Sequence, residues 1–365
     1  QTTDGIKFNS FLMAGKTAFA TKSLAWHYRS DHTALIGFSN AAFYQNHLRP
    51  FPSLNAIEPA IKFHCVPEGL YENRENRGEA RKLAQAFSEA LGERPDLSYA
   101  IVALSEKQQD CIEEELIALQ TNDMAFSRLM DREELKQREG AYSGLIIRNL
   151  ENMQGEERDV VFVSLGYGFK PDGKMATNFG PIMHAGGERR LNVLFSRARK
   201  QVQVFASFQP DDLSNDQNEG IWVLKQYLKY ARAIDVNDEE SRLNTLALLS
   251  GRIWNLDQVK DSLTETSKQT HSLLESNLNN HHLKLKRLMV GGSDDIFFQL
   301  LRGNKPTQFL LQLESDECST WKEVVTVHSV LEKRGYTVIR VSTQELARDA
   351  SGLALRVSEK LKETH

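Results

Sequence analysis

Four arginines, Arg189, Arg190, Arg197 and Arg199, fall within eleven residues of GERRLNVLFSRAR, the run that begins at Gly187. Guanidinium groups stay protonated and present fixed forks of N–H donors, so a cluster this tight must meet carboxylates or phosphate oxygens. Leu191, Val193, Leu194 and Phe195 sit between the arginines. They anchor the segment in a core and leave the charges aimed at one surface, which is how a cation that stabilises a phosphoryl group in transfer is built. The alternative is a solvated basic helix face. A second chemical feature is Gln154–Gly155 in LENMQGEERDVV. Glycine lets the backbone approach a ligand, and the amide side chain can donate to it.

The elements that must position these groups alternate in type. Short runs rich in Val and Ile at 145–148 and 160–165 read as strands buried on both faces of a parallel sheet, with further strands at 23–26, 61–66, 100–104 and 202–207. Apolar residues at helical spacing predict a helix over 35–48, with Phe38, Phe43 and Tyr44 in the core. More helices are expected across 73–91, from Glu106, as a surface pair within 113–140, and at 222–232. Such alternation specifies an α/β lobe. The stretch 166–187 is a long polar connection, and such loops in compact lobes are usually functional or mobile.

At 365 residues the chain can hold two domains with separate cores. Its formal net charge of -4 gives no global attraction to nucleic acid, so any contact must come from local patches. Cys65, Cys111 and Cys318 are far apart, odd in number and without a CxxC pair, which points to buried, reduced thiols rather than disulfides or a zinc site. No apolar run approaches the roughly 20 residues of a membrane span, and no basic segment leads into an apolar one at the start. A cytoplasmic protein with no membrane partner is expected. Gln1 in place of Met suggests a piece of something longer. AGKT at 14–17 imitates the end of a phosphate-cradling GxxxxGK[ST] loop, but Ser10 occupies the position of its first glycine and no apolar strand precedes it.

GERRLNVLFSRAR resembles motif VI of superfamily 1 helicases, whose pattern is close to RRLNVALTRAR. LENMQGEERDVVFVSLGYG at 150–168 resembles motif V, and WHYRS at 26–30 with the following LIGFSNAAFY resembles motif IV. The motifs stand in family order, and the resemblance covers most of 23–232. It is closest to the superfamily 1B branch related to the nonsense-mediated-decay RNA helicase, in particular large bacterial helicase-related proteins with a C-terminal restriction-endonuclease-like domain. The resemblance implies that residues 1–235 form a second RecA-like lobe, with a mainly parallel sheet, of an ATP-dependent helicase or translocase. Its partners would be single-stranded DNA or RNA, tracked 5′ to 3′, and the first RecA-like lobe of the same parent protein, which brings lysine and Mg²⁺ to the ATP.

In that frame Arg29 and Arg197 reach the terminal phosphate of ATP. Glu157, Gly155 and Arg190 border the nucleotide, Arg190 chiefly by supporting its own motif, while Glu151 orients the motif V loop. Gln154 and Gln108 touch nucleic acid. The competing readings are an ion pair from Arg29 to a neighbour such as Asp31, an exposed helix-start glutamine at 108, and capping or surface charge for the glutamates. For Glu156 and Arg158 that surface reading is preferred. His27 reads as structural. Without a P-loop, this chain alone is expected to hydrolyse no ATP at a useful rate.

Residues 236–280 read as a helical linker and 281–365 as a smaller α/β domain. Strands are expected at 285–290, 296–301, 309–313 and 337–341, with a helix over 321–334. Asp295, Glu314 and Asp316 resemble the D...ExD pattern of endonuclease folds related to very-short-patch repair, a carboxylate set suited to Mg²⁺. The family's downstream histidine and Asp/Arg helix signature are replaced by ECSTWKEVV, so a degenerate domain that binds rather than cuts is expected. Lys322 reads as a solvated lysine or as a substitute proton carrier, and Lys284, Lys286 and Arg287 could face phosphates. A non-catalytic nucleic-acid-binding scaffold and a metal-dependent nuclease are the alternative functions.

Overall fold

The computed structural model describes residue 19 and residues 26–51, 53–54, 56–215, 217–250, 265–288, 296–303, 305–313 and 321–363. AGKT at 14–17, Cys318 and the three acids Asp295, Glu314 and Asp316 lie outside the described residues. The chain runs β1 (Trp26–His27), α1 (Ala34–Phe43), β2 (Arg49–Pro50), β3 (Ile61–Cys65), α2 (Arg77–Glu93), β4 (Tyr99–Ala103), α3 (Glu106–Asn122) and α4 (Met124–Leu135). A small hairpin of β5 (Gln137–Arg138) and β6 (Ala141–Tyr142) leads to β7 (Ile146–Asn149), β8 (Arg158–Ser164), α5 (Gly187–Phe195), β9 (Ala198–Ala206), α6 (Glu219–Asp235) and α7 (Glu239–Leu249). The remainder gives α8 (Glu265–Asn279), β10 (Leu283–Leu288), β11 (Ile296–Arg302), β12 (Lys305–Leu313), α9 (Trp321–Lys333), β13 (Thr337–Val341) and α10 (Thr343–Glu363).

Five strands form one sheet in the order β3-β9-β8-β4-β7, and every pairing is parallel. Parallel neighbours need crossovers, so helices must cover both faces. Side chains alternate accordingly: Ala100 and Val102 join a core with α1, α5 and α6, whereas Tyr99, Ile101 and Ala103 join one with α2, α3 and α4. Phe162 of β8 meets Phe87 of α2 edge to face, with ring centroids 5.8 Å apart. On the other side Tyr230 is fully buried and donates to the Ala34 carbonyl at 2.9 Å, which ties α6 to α1. The expected α/β lobe with a mainly parallel sheet is this one.

Several expectations change in detail. β8 is buried along its whole length, but β7 is the sheet's edge, with Ile147 half-buried and Arg148 exposed. The expected helix over 35–48 stops at Phe43 because Gln45 and Asn46 take left-handed φ of 52° and 60°. Asn40 then staples the turn, exchanging two hydrogen bonds with the backbone of Leu48. Phe38 is core, Phe43 is half-buried, and Tyr44 is 40% exposed. The long 166–187 connection is pinned to the lobe through buried Tyr167, Phe179 and Ile182. Cys111 is buried as expected, but Cys65 is exposed. In the stretch read as a linker, α7 packs Leu246 and Leu249 onto the lobe's core.

The C-terminal sheet has the order β10-β11-β12-β13, two antiparallel pairings followed by a parallel one. β11 and β13 fall where the apolar runs predicted them, while β10 begins two residues and β12 four residues earlier than expected. α8 and α10 cover one face through Leu274, Leu278, Leu353 and Val357, and α9 covers the other through Val327 and Leu331. α10 has no counterpart in the sequence reading. The α9 side shares its apolar cluster with Phe51, Trp26 and Leu54 of the lobe, so the two units meet where β1 pairs with β2.

Candidate functional site

α5 carries the arginine-rich run and is fixed from three sides. Leu191, Leu194 and Phe195 are buried, and Phe195 lies flat on Tyr227, with 8° between the rings, and edge-on to Phe38 at 5.5 Å. Its first turn is pressed against the preceding 3₁₀ turn: a Cβ at Gly187 would stand 1.8 Å from the Ile182 carbonyl oxygen, so no larger residue fits there. With the apolar stripe buried, Arg189 is left 85% exposed and Arg190 faces Glu151 at 3.8 Å.

The remaining arginines gather where β8 and β9 begin. Arg158 N donates to Arg197 O at 3.2 Å, and the register shifts between Arg158 and Val160, which opens the ladder there. Arg197 is held by oxygens without formal charge: Nε donates to Val193 O at 2.7 Å, Nη1 to Glu156 O and Nη2 to Ser196 Oγ, both at 3.3 Å. No carboxylate lies within ion-pair distance of it among the described residues. Burial, and then the neighbouring charge of Arg29, push its pKa below the ordinary arginine value. Arg29 Nε stands 2.6 Å from Glu157 Oε2. Arg199 approaches the other oxygen of Glu157 at 3.9 Å and the buried Asp159 at 3.2 Å. Asp159 in turn accepts from the backbone N and the hydroxyl of Ser98, at 3.0 and 2.9 Å.

The fold therefore brings Arg29, Glu157 and Arg197 together from three distant segments. Arg29 pairs with Glu157, not with Asp31, which instead holds Lys200 at 2.9 Å. Gln154 and Gly155 form an exposed loop ahead of β8, and Gly155 has φ of 90° with open space beside it. Arg158 is not surface charge: it is buried and donates to the carbonyls of Gly144 and Glu157. His27 is structural, accepting from Ser30 N at 3.3 Å; burial first, then Arg29 and Arg334, push it down to about 4.

Gln108 is corrected outright. It has no exposed surface, its oxygen accepts from Asn76 N at 2.7 Å, and its amide donates to Asn76 O and Ser164 Oγ. Both arms are satisfied inside the protein, so neither an exposed glutamine nor a nucleic-acid contact describes it. It belongs to a buried network at the far end of β8, where Glu79 accepts from Ser164 Oγ at 2.6 Å and from Gly166 N at 2.8 Å. Burial pushes the Glu79 carboxyl up to about 8. The sequence reading also gave no role to Asp159 or Lys200, whose partners lie far away in the chain.

Arg29 and Glu157 are 39% and 40% exposed, so the cluster is an open surface. A concavity of about 280 Å³ lies beside Phe43, Glu188, Arg189 and Trp222 and includes none of Arg29, Glu157 and Arg197. Among the described residues no group of three or more His, Cys, Asp or Glu is placed to hold a metal, and no helix is long and apolar enough to cross a membrane.

Residues 8–209, more than half of the chain, match the family model described as an AAA domain. The chain belongs to this AAA domain family. The matched region holds Arg29, Glu157 and Arg197 together. Along 221 residues the AAA-domain chain is 34% identical to an uncharacterised ATP-dependent helicase of Mycoplasma genitalium, MG140, and along 222 residues it is 33% identical to the homologue from Mycoplasma pneumoniae. Each match takes in 60% of this chain and 19% of the relative, so the chain spans about a fifth of the length of these curated relatives. The C-terminal domain of a possible DNA helicase from Lactobacillus plantarum aligns at 15% identity and TM-score 0.28, covering 49% of this chain and 86% of that one. That superposition is too loose to carry a fold argument. The likeness to helicases rests on the two Mycoplasma relatives.

Proposed function

We propose that residues 1–235 of this chain form the second RecA-like lobe of a superfamily 1B helicase or translocase, related to the nonsense-mediated-decay branch, and supply Arg29 and Arg197 to the terminal phosphate of ATP. One observation carries the reading. Arg197 is a half-buried cation held by three uncharged oxygens, with no carboxylate within ion-pair distance among the described residues, and a second cation, Arg29, stands beside it; the carboxylate whose charge it feels, Glu157, is taken up by Arg29. Two positive charges kept near each other are costly unless an anion comes between them, and a phosphoryl group is such an anion. Arg29 would exchange Glu157 for phosphate, while carbonyls hold Arg197 in place beforehand, so little reorganisation is needed as charge develops.

The cluster fits phosphate but not a metal. Mg²⁺ requires several oxygen ligands, and the carboxylate offered here, Glu157, is already shared between Arg29 and Arg199. Mg²⁺ would be held by the first RecA-like lobe of the parent protein, along with the lysine that meets the phosphates. Gly155 and Arg190 would border the nucleotide, and the exposed amide of Gln154 would reach single-stranded DNA or RNA. The C-terminal mixed sheet with helices on both faces supports a restriction-endonuclease-like domain that positions nucleic acid.

The test is steady-state ATP hydrolysis by the full-length parent protein, with and without single-stranded nucleic acid. Arg197→Ala should lower turnover by about 10³-fold or more, as loss of an arginine finger does. Turnover near that of the wild type would sink the assignment.

A further inference from the structure

The turn that carries Arg29 is held from both domains. Within the lobe, Asp31 N donates to Arg199 O at 2.7 Å, Ser53 N donates to Asp31 O at 2.6 Å, and Lys200 pairs with Asp31 Oδ2. From the C-terminal domain comes Arg334, which follows directly on α9. Its Nη1 pairs with Asp31 Oδ1 and its Nη2 donates to the carbonyl of Tyr28. Arg334 is placed for this reach by Gly335, whose φ of 90° ends the helix, and by its own carbonyl, which accepts from Leu54 N at 3.2 Å. The side chains of Arg334 and Asp31 are only 15% and 17% exposed, so water and salt screen the pair weakly.

The Tyr28 carbonyl lies in the peptide plane that joins residue 28 to Arg29. Fixing that oxygen fixes the plane, and fixing Asp31 holds the chain two residues further on. The Cα–Cβ direction of Arg29 is then set between two clamped points, and one clamp belongs to the other domain. We propose that Arg334 is a positioning residue for ATP turnover, through which docking of the C-terminal domain sets the direction in which Arg29 enters the nucleotide cleft. The proposal rests on the assignment of Arg29 to the terminal phosphate. His27 sits in the same turn, where burial first, and then the charges of Arg29 and Arg334, lower its pKa. The shared apolar cluster of Phe51, Leu54, Leu331 and Tyr336 keeps α9 seated while the arginine makes its contacts. Release of the domain would loosen Arg29 without removing any group that touches phosphate.

The experiment is steady-state ATP hydrolysis by the full-length parent protein carrying Arg334→Ala, Arg334→Lys, Arg29→Ala, or Arg334→Ala with Arg29→Ala. Arg334→Ala should lower kcat by about 10-fold or more, up to roughly 10²-fold, the effect of misplacing an intact group by about 1 Å. The KM for ATP should change less than kcat. Arg334→Lys keeps a charge for Asp31 but lacks the second arm for Tyr28 O, so its kcat should fall between those of Arg334→Ala and the wild type. The double variant should lose no more than Arg29→Ala alone, because nothing remains to be positioned. A kcat for Arg334→Ala within about twofold of the wild type, or losses that multiply in the double variant, would overturn the proposal. Near-normal turnover in Arg29→Ala would instead overturn the assignment beneath it, which separates the two failures. Asp31 keeps Lys200 when Arg334 is removed, so no buried carboxylate is stranded; if Arg334→Ala still fails to fold, Arg334→Lys decides by the same readouts.

Discussion

Arg29 Nε and Glu157 Oε2 stand 2.6 Å apart across the mouth of the arginine cluster, yet both side chains are about two-fifths exposed, at 39% and 40%. An ion pair so open to solvent contributes little to stability, about 0–1 kcal/mol, and is easily exchanged for a better anion. Arg29→Ala should therefore shift the unfolding free energy of this chain, measured in urea, by no more than about 1 kcal/mol. In the parent protein the same substitution should lower ATP turnover by about 10³-fold. A large stability loss with turnover retained would make the pair a structural one.

Two glycines should respond in opposite ways to alanine. At Gly187 a Cβ would meet the Ile182 carbonyl oxygen at 1.8 Å, so α5 or the turn before it must move. A melting point lowered by the equivalent of about 1–3 kcal/mol is expected for Gly187→Ala. Gly92 lies inside α2 with nothing within 4 Å of its would-be Cβ. Gly92→Ala should stabilise by about 0.4–1 kcal/mol, because it removes freedom from the unfolded chain. Thermal unfolding of the two variants side by side checks both signs.

Glu79 makes stability depend on pH. Burial raises its carboxyl from the ordinary 4.5 to about 8 in the fold, so the folded chain keeps a proton that the unfolded chain releases. Its contribution is fully present below 4.5 and is lost as pH rises through about 8. Glu79→Gln cannot titrate. The stability of the wild type relative to Glu79→Gln, from urea unfolding at a series of pH values, should fall across that window. A difference that stays flat with pH would show that the carboxyl does not titrate as its burial requires.

The C-terminal domain should bind nucleic acid without cutting it. Incubated with Mg²⁺ or Mn²⁺ and with single- or double-stranded DNA, the chain is expected to leave the DNA intact, since the sequence lacks the downstream histidine of the pattern it resembles and a catalytic set needs a group to handle the proton. Cleavage that disappears in Asp295→Ala and Glu314→Ala would establish a nuclease instead.

Local pattern alone was enough to find most elements, because burial on a sheet or along a helix stripe leaves a period in the residues that do it. The runs that became β3, β4, β8 and β9 were legible for that reason, as were the C-terminal strands. The resemblance of three separate motifs also singled out Arg29, Glu157 and Arg197, which the fold brings together. What the sequence by itself could not determine was pairing between distant residues. Arg29 could have met Asp31 beside it, and only the fold gave it Glu157, because the start of β8 lies next to the turn after β1. Gln108 looked like a helix-start amide facing solvent; the packing of α2 against α3 buried it beside Asn76 and Ser164. β7 carries an apolar run like that of β8, and its place at the sheet's edge depends on strand order, which no local pattern encodes. Arg334 is the extreme case, since it reaches Tyr28 and Asp31 from the other end of the chain. Such contacts are set by which surfaces are left to be buried once each domain has formed, and that is a property of the tertiary structure alone.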